Sequence, residues 1–383
     1  MKATRRRLMA ACAGAVAVGA APRVLRAQTT GTIDVKHLGA FGNGKLPDLH
    51  QVQQAIRIAS ERRAGATIFF PPGEYFLGAA AQQVLLRANG LRGVRFLGER
   101  ATLSCRSVEG QSSMLSLAGC SDVTVEGLTF RDYGHDRNID WLGAAAINLA
   151  NDGKSGCENI DIRNCNFDSV LAAVLSREPE SGSRCRRIAL TNLNVKKSYY
   201  GLSFQNNCDN VVGRRLHFDD VKRSYFPYGV VNHDIELEAI NNATGYTDVL
   251  IKCYSFETAA IRIKVRSRGK RGGDAIVGLD QQHEKGQGRI RNIAIELDVS
   301  DADCNLGAVV MMRSFDSKGR FEKQTGSRWD EISIDGDVRV CDKTRLIDIP
   351  TVGRTQGRLR IGPRLAAHAK LPSSFPGFTV IRS

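Results

Sequence analysis

Four residues of the chain have side chains that suit acid–base chemistry on a sugar: Glu178, His233, Asp234 and Lys264. Two carboxylates can hydrolyse a glycosidic bond, one as the acid and the other as the base or nucleophile. A base next to a cation can instead remove the proton beside a uronate carboxylate, which starts a β-elimination. The sequence therefore predicts Glu178 and Asp234 as the pair for hydrolysis. For elimination it predicts His233 or a Tyr as the base, with Arg262 or Lys264 as the cation. A solvated outer face is equally compatible with these charges, and that alternative stays open.

A second group of residues could hold a substrate. Arg262 and Lys264 alternate outward on one predicted strand, so both could grip the same anionic sugar. Aromatic rings suit stacking on sugar rings. The predicted substrate-binding residues are Trp141, Arg177, Tyr200, Gln205, Asn206, Tyr228 and Arg262. The loops before the same strands also contain Tyr133, Tyr199, Tyr225 and Phe226, with His135, Asp136 and Asp140 as weaker candidates.

Two sets of short strands must position these residues, because their apolar residues alternate with period two. The clear copies of the first set begin at residues 121, 158, 186, 209 and 247. The second set covers residues 146–150, 173–177, 201–205, 229–233, 260–264, 308–312 and 346–350. Repeats of this length indicate a solenoid whose coils bury a continuous core. The second set then places Arg177, Gln205, His233 and Lys264 in one outward column, with coils about 4.8 Å apart.

Cysteines recur just before the first-set strands, at Cys120, Cys157, Cys185 and Cys208. This repetition predicts an inward stack of thiols with a packing role. The cysteines are scattered and form no C-x-x-C pair, which argues against a zinc site and a dense disulfide framework. We therefore expect no cofactor and no metal, although calcium held by dispersed carboxylates stays open.

The N-terminal part carries a further signature. A strand and a glycine-rich turn over residues 33–44 precede a segment in which Leu49, Val52, Ile56 and Ala59 share a helical face. Residues 66–76 then read ATIFFPPGEYF. This stretch resembles the start of the pectate lyase and polygalacturonase-like β-helix superfamily. The resemblance implies an all-β fold, a right-handed parallel β-helix with an N-terminal capping helix, and a polysaccharide as ligand. Arg262-Ile-Lys264 also resembles the substrate-binding Arg-x-Lys of polygalacturonases.

The first 27 residues read as an export signal. Arg5, Arg6 and Arg7 precede an apolar run that is too short to span a membrane, and the pattern resembles a twin-arginine signal. Its removal would lower the formal charge of the 383-residue chain from +14 to +8. We expect a single β-helix domain over residues 28–383, with a cap at 33–76, coils over about 77–362 and a tail at 363–383. The predicted location is periplasmic or secreted.

The remaining positive charge is densest between Arg262 and Arg271. It suggests an anionic partner. Export and the lack of a nucleic-acid motif favour an acidic polysaccharide over nucleic acid. The sequence therefore predicts an exported carbohydrate-active enzyme that cleaves an acidic polysaccharide as a hydrolase or a lyase. A non-catalytic carbohydrate-binding β-helix and a polysaccharide epimerase are the alternatives.

Overall fold

A computed structural model describes residues 31–382 apart from 63–64, 137, 140–141, 178–182, 206–207, 243–245, 254–256, 284–288, 302–303, 317–327, 350–355, 369–370, 373 and 376. The predicted export signal lies outside the described residues, and the predicted domain division stays a prediction. Among the helices of the described part, none combines the length and apolar character needed to cross a membrane.

Strands make up most of the described chain. In chain order they are β1 (Thr32–Asp34), β2 (Asn43–Pro47), β3 (Ala66–Phe70), β4 (Gly73–Ala81), β5 (Val84–Asn89), β6 (Val94–Glu109), β7 (Gln111–Ala118), β8 (Ser121–Asp132), β9 (Gly143–Ala150), β10 (Glu158–Asp168), β11 (Ala172–Arg177), β12 (Cys185–Lys196), β13 (Tyr200–Gln205), β14 (Cys208–Asp219), β15 (Arg223–Tyr228), β16 (Val231–Ile240), β17 (Val249–Cys253), β18 (Thr258–Arg268), β19 (Gly273–His283), β20 (Ile290–Asp301), β21 (Leu306–Asp316), β22 (Arg328–Val340), β23 (Arg345–Asp348), β24 (Gln356–Ile361) and β25 (Phe378–Arg382). The helices are α1 (Leu49–Glu61) and α2 (Pro363–Ala366).

The strands form two long parallel sheets, and the chain passes from one to the other in each coil. Sheet A runs β1-β3-β6-β8-β10-β12-β14-β16-β18-β20-β22-β24-β25, with β2 and β4 attached to its start. Sheet B runs from β5 through the odd-numbered strands to β23. Between β8 and β22 each coil therefore contributes one strand to each sheet. The predicted right-handed parallel β-helix is confirmed.

The core lies between the sheets and is built by the alternation that the sequence predicts. Val123, Ile160, Ile188 and Val211 occupy one interior column of sheet A and are almost fully buried. Left-handed residues bend the long strands of this sheet. Asn164 and Asn192 both have φ 54°, and the Asn192 side-chain amide donates to Asn164 at 2.8 Å. An asparagine tolerates this conformation better than most residues, so it suits a repeated bend.

The cysteine stack is also confirmed. Cys120, Cys157, Cys185 and Cys208 are free and fully buried. The backbone N–H of Cys157 donates to the sulfur of Cys185 at 3.2 Å, and the Cys157 thiol donates to the carbonyl of Leu117 at 3.1 Å. These thiols pack within the core and bridge neighbouring coils. Further along the chain, a disulfide joins Cys304 to Cys341.

Helix α1 forms where the amphipathic segment predicts it. Val52, Ala55, Ile56 and Ala59 are buried, while Leu49 is partly buried against the core. The side-chain amide of Gln53 both donates to and accepts from the backbone of Arg87, at 2.9 and 2.8 Å. This pairing satisfies one residue of β5, the first strand of sheet B. A capping role for the helix stays a prediction.

The assignment of strands to the two sets is wrong between residues 229 and 264. The segments 229–233 and 260–264, predicted for the groove set, belong to β16 and β18 of sheet A. The segment beginning at 247, predicted for the first set, contains β17 of sheet B. The physical reason is a very short connection in this coil. Gly229, with φ 61°, and Val230 alone link β15 to β16.

Candidate functional site

His233, predicted as a catalytic base in the groove, is a core residue. It is 1% exposed and lies on the inner side of sheet A. The hydroxyl of Tyr225 donates to its Nδ1 and its Nε2–H donates to the Cys208 carbonyl, both at 2.7 Å. Burial lowers the pKa of His233 to about 4, so the ring is neutral at pH 7. Its two nitrogens are satisfied, and it cannot reach a ligand on the outer surface.

Asp234, Arg262 and Lys264 do face outward, but on sheet A. Asp234 forms an ion pair with Arg214 at 2.7 Å, and Lys264 lies 3.5 Å from Glu296. Arg262 is exposed beside Asp234 in the sheet register. The predicted column of Arg177, Gln205, His233 and Lys264 is therefore wrong, since Gln205 belongs to sheet B and Lys264 to sheet A.

The other predicted site residues lie on sheet B or outside the described part. Glu178, Asn206 and Trp141 fall outside the described residues. Arg177 ends β11 and is paired in register with Gln205, which is paired with Tyr228. Tyr228 is paired in turn with Lys252. The true outward column thus contains Tyr228 and Lys252 where the sequence predicts His233 and Lys264.

Aromatic rings and cations gather at the entry side of sheet B. We call the following six residues the aromatic–cation cluster: Tyr199, Tyr200, Lys222, Arg223, Phe226 and Tyr246. Adjacent coils bring them together, because the register pairs Tyr200 with Arg223 and the backbone N–H of Lys222 bonds to the Ser198 carbonyl. The rings of Tyr200 and Phe226 stack at 5.7 Å with an interplanar angle of 19°. The ring of Tyr199 lies 4.7 Å from that of Tyr200 and 5.7 Å from that of Tyr246.

Lys222 is the most unusual member of the cluster. Its ammonium lies 4.7 Å from the centre of the Tyr246 ring and 5.2 Å from that of Tyr199. The residue is only 5% exposed, and the side-chain oxygen of Asn138 at 3.5 Å completes its contacts. Within the described part of the chain it has no carboxylate partner. A desolvated ammonium held by aromatic faces keeps its positive charge uncompensated.

Arg223 extends the same surface. Its guanidinium lies 5.5 Å from the Phe226 ring and 5.7 Å from the Tyr246 ring. Its Nε is buried and has no hydrogen-bond partner among the described residues. Lys252 approaches Phe226 from the following coil, at 5.8 Å. The aromatic surface is therefore bordered by three cations on neighbouring coils.

Asp132 anchors the described residues between 133 and 144, of which Asn138 contacts Lys222 of the cluster. This buried carboxylate accepts hydrogen bonds from the backbone N–H groups of Ser107, Gly134 and Ala144, each at 2.9 Å, and from the Ser107 hydroxyl at 2.6 Å. The bonds from Gly134 and Ala144 hold both ends of this segment, and those from Ser107 tie Asp132 to β6. The segment thereby holds His135 close to the cluster.

His135, a weaker candidate in the sequence, occupies a chemically distinctive position. Its Nδ1–H donates to the Leu142 carbonyl at 2.9 Å, which leaves Nε2 with a free lone pair. Nε2 is buried and has no hydrogen-bond partner in the described structure. Burial, helped by the charge of Lys222, lowers the pKa of His135. The imidazole is therefore a neutral proton acceptor.

Tyr199 has the opposite tendency. Burial and the neighbouring Tyr246 raise its pKa, so the phenol stays protonated. Tyr199, an uncharged donor, contacts Lys222, and His135, an uncharged acceptor, is close enough to feel its charge. The arrangement can bind an anion and exchange protons with it.

Metal ligands do not gather in the described ranges, where no three His, Cys, Asp or Glu side chains are placed to hold an ion. A cavity of about 460 Å³ beside α1 is a second concave feature, lined among others by Gln53, Arg57 and Arg87. Gln53 is committed to the backbone of Arg87, and Arg57 to Glu61.

No family model matches the chain, and no curated protein sequence matches it. Solved structures do match. An endo-xylogalacturonan hydrolase from Aspergillus tubingensis aligns with 10% identity and a TM-score of 0.51, covering 92% of this chain and 99% of its own. The A-module of a mannuronan C-5 epimerase from Azotobacter vinelandii gives 16% identity, a TM-score of 0.46 and coverage of 91% and 99%. A surface adhesin of Streptococcus pneumoniae gives 14%, 0.39, and coverage of 86% and 90%.

At these identities the similarity shows the fold alone. The chain has the right-handed parallel β-helix fold that the repeats predict, and the resemblance to the pectate lyase and polygalacturonase-like superfamily stays a prediction.

Proposed function

We propose that the protein binds an acidic polysaccharide at the aromatic–cation cluster and cleaves it there. The observation that carries the proposal is Lys222, a nearly buried ammonium between two tyrosine rings with no carboxylate partner in the described residues. A carboxylate or sulfate group of a sugar would supply the missing negative charge. Hydrogen bonds between charged partners are among the stronger polar contacts in proteins.

The surroundings of Lys222 fit a sugar chain. The partly exposed ring of Tyr200 is backed by the buried ring of Phe226, and sugar rings pack well on aromatic faces. Arg223 and Lys252 lie on the same and the following coil. Successive charged units of an extended polymer could therefore meet successive cations, because the coils repeat about every 4.8 Å.

Among cleavage reactions, β-elimination has the better support. A base removes the proton on the carbon next to the uronate carboxylate, the bond to the leaving glycosidic oxygen breaks, and a carbon–carbon double bond forms. Lys222 and Arg223 would stabilise the negative charge that develops on the carboxylate. His135 is the proposed proton acceptor, since its Nε2 carries a free lone pair.

Hydrolysis has weaker support because the predicted carboxylate pair is not assembled in the described structure. Asp234 is on sheet A and bonded to Arg214, while Glu178 lies outside the described residues. Asp132, the carboxylate that anchors the segment of His135, already accepts four hydrogen bonds.

We also propose export to the periplasm or beyond. The twin-arginine-like start of the sequence supports it. So does the disulfide between Cys304 and Cys341, because such bonds persist mainly in oxidising compartments.

The test is to incubate the purified mature protein with a panel of acidic polysaccharides. Ultraviolet absorbance from an unsaturated uronate is the expected result. New reducing ends without that absorbance would establish hydrolysis instead. An unchanged chain length with altered sugar stereochemistry, read by NMR, would indicate an epimerase. Binding with no change in the polymer would leave a non-catalytic β-helix, and absence of binding would refute the proposal.

A further inference from the structure

A fully buried ion pair lies beneath the aromatic–cation cluster. The ammonium of Lys270 is 2.7 Å from Oδ1 of Asp248, and both side chains are 0% exposed. Neither residue touches the outer surface of the solenoid. The pair lies where the end of sheet A passes into the start of sheet B, because Lys270 follows β18 and Asp248 precedes β17.

The pair is bonded to the backbone that carries the cluster. Lys270 Nζ also donates to the carbonyl of Tyr246 at 2.7 Å. The backbone N–H of Tyr225 donates to the Asp248 carbonyl at 3.2 Å. The Lys270 charge thus fixes the main chain of a cluster tyrosine, and the main chain of Asp248 is bonded to β15, the strand that begins at Arg223.

Asn242 connects the pair to Lys222. Its side-chain N–H donates to Oδ1 of Asp248 at 2.9 Å and to the Ser224 hydroxyl at 3.1 Å. Its side-chain oxygen accepts from the backbone N–H of Val221 at 3.0 Å. Val221 immediately precedes Lys222, so the network holds the main chain on both sides of the cation–aromatic contact.

We propose that Lys270 and Asp248 are positioning residues that set the distance between the Lys222 ammonium and the Tyr246 ring. This proposal rests on the proposed function of the cluster, because it assumes that the distance between Lys222 and Tyr246 serves ligand binding. Its physical basis is that a buried ion pair often stabilises a fold no better than apolar residues of similar size. The hydrogen bonds of a buried ion pair, however, require more specific distances and angles than an apolar contact does.

The informative variant replaces both charges together, as Lys270→Met with Asp248→Leu. Replacing Lys270 alone would leave the buried Asp248 carboxylate without its cation, which is strongly destabilising. The double variant loses the bond to the Tyr246 carbonyl and the anchor of Asn242, while most of the side-chain volume stays.

Two measurements compare the double variant with the wild type. The first is chemical acetylation of Lys222, quantified by mass spectrometry, with the half-exposed Lys264 as the internal reference. Lys222 is 5% exposed, so it should react slowly in the wild type and at least several-fold faster in the double variant. The second is affinity for the acidic polysaccharide that the wild type binds, which should fall at least tenfold while kcat at saturation changes less.

An unchanged Lys222 acetylation rate in the folded double variant would overturn the inference. The labelling needs no ligand, so this result is separate from failure of the proposed function, in which the wild type itself would not bind. If the double variant does not fold, Asn242→Ser provides the second test. It leaves the ion pair intact and cuts its link to Val221, so it should also speed acetylation of Lys222. An unchanged rate in that variant would count equally against the positioning role.

Discussion

The replacement Lys222→Met tests the candidate site most directly. Methionine keeps most of the apolar stem and removes the charge. If the ammonium forms one charge-assisted hydrogen bond with a carboxylate of the substrate, its loss should cost about 1.5–3 kcal/mol of binding free energy. That corresponds to roughly a 10- to 150-fold weaker Kd.

The same replacement should leave the fold intact. In the unliganded protein the ammonium gains two cation–π contacts, each of about 0.5–2 kcal/mol, and loses most of its hydration. The desolvation of an ion costs several kcal/mol, so the two contributions are of similar size. We therefore expect the free energy of unfolding of Lys222→Met to be unchanged or higher. A large destabilisation would mean that the residue is structural.

Isothermal calorimetry with an acidic polysaccharide measures the binding, and urea unfolding measures the stability. The matched control is Lys264→Met, which removes a lysine that faces outward on sheet A beside Glu296. The control should bind within about twofold of the wild type, since its charge is already compensated. Equal affinity in the wild type and Lys222→Met, or a larger loss in the control, would refute the assignment of the site to sheet B.

Three further outcomes are expected. Burial lowers the pKa of His233 below its unfolded value, so stability that is full above pH 6.5 should fall by about 3 kcal/mol as the pH drops towards 4. Urea unfolding at both pH values should show that the stability of His233→Asn depends less on pH than that of the wild type. An equal pH dependence in the two proteins would contradict the burial argument. Asp132→Ala should cost several kcal/mol in the same assay, because three backbone N–H groups lose their acceptor; Asp132→Asn should cost less. Replacing Cys304 and Cys341 together by serine should lower stability by about 2–4 kcal/mol, and a reductant should affect the wild type but not this variant.

The fold could be predicted because each coil repeats the same local pattern. Val123 and Val125, and in the next coil Ile160 and Ile162, alternate with polar residues and become the interior of sheet A. Such alternation determines which side of a strand is buried, independently of the rest of the fold. The aligned cysteines strengthened the prediction, because their recurrence fixes the register of successive coils.

The sheet to which a strand belongs was harder to predict, since both sheets use the same alternation. Only Gly229 and Val230 connect β15 to β16. The sequence therefore assigns the next strands, up to residue 264, to the wrong sheet. The interior residues Tyr225 and Val249 indicate the correct sheet, because they continue the interior column of Leu202 in sheet B. The polar hydroxyl of Tyr225 made an inward orientation hard to predict, and this orientation is possible because His233 accepts its hydrogen bond.

The candidate site was predicted in part. Tyr200 and Tyr228 were predicted as ligand-binding residues on the basis of their aromatic rings, and they lie on sheet B. Lys222 and Arg223 were missed. Their immediate neighbours in the sequence do not distinguish them, because Tyr199 and Tyr246 reach Lys222 from the coils before and after it. Only the stacking of coils creates the environment that makes this lysine unusual.

A cation of this chain therefore indicates a ligand site only where no carboxylate of the protein already neutralises it. On sheet A, Arg214, Lys264 and Arg266 each lie next to a carboxylate of the same surface. A ligand carboxylate would have to displace that partner, so little binding free energy remains. Beside sheet B, the cation of Lys222 meets aromatic faces, which attract it without neutralising it. An anionic group that reaches that cation breaks no existing ion pair, and this difference, rather than the number of cations, is the reason that we propose the binding surface on sheet B.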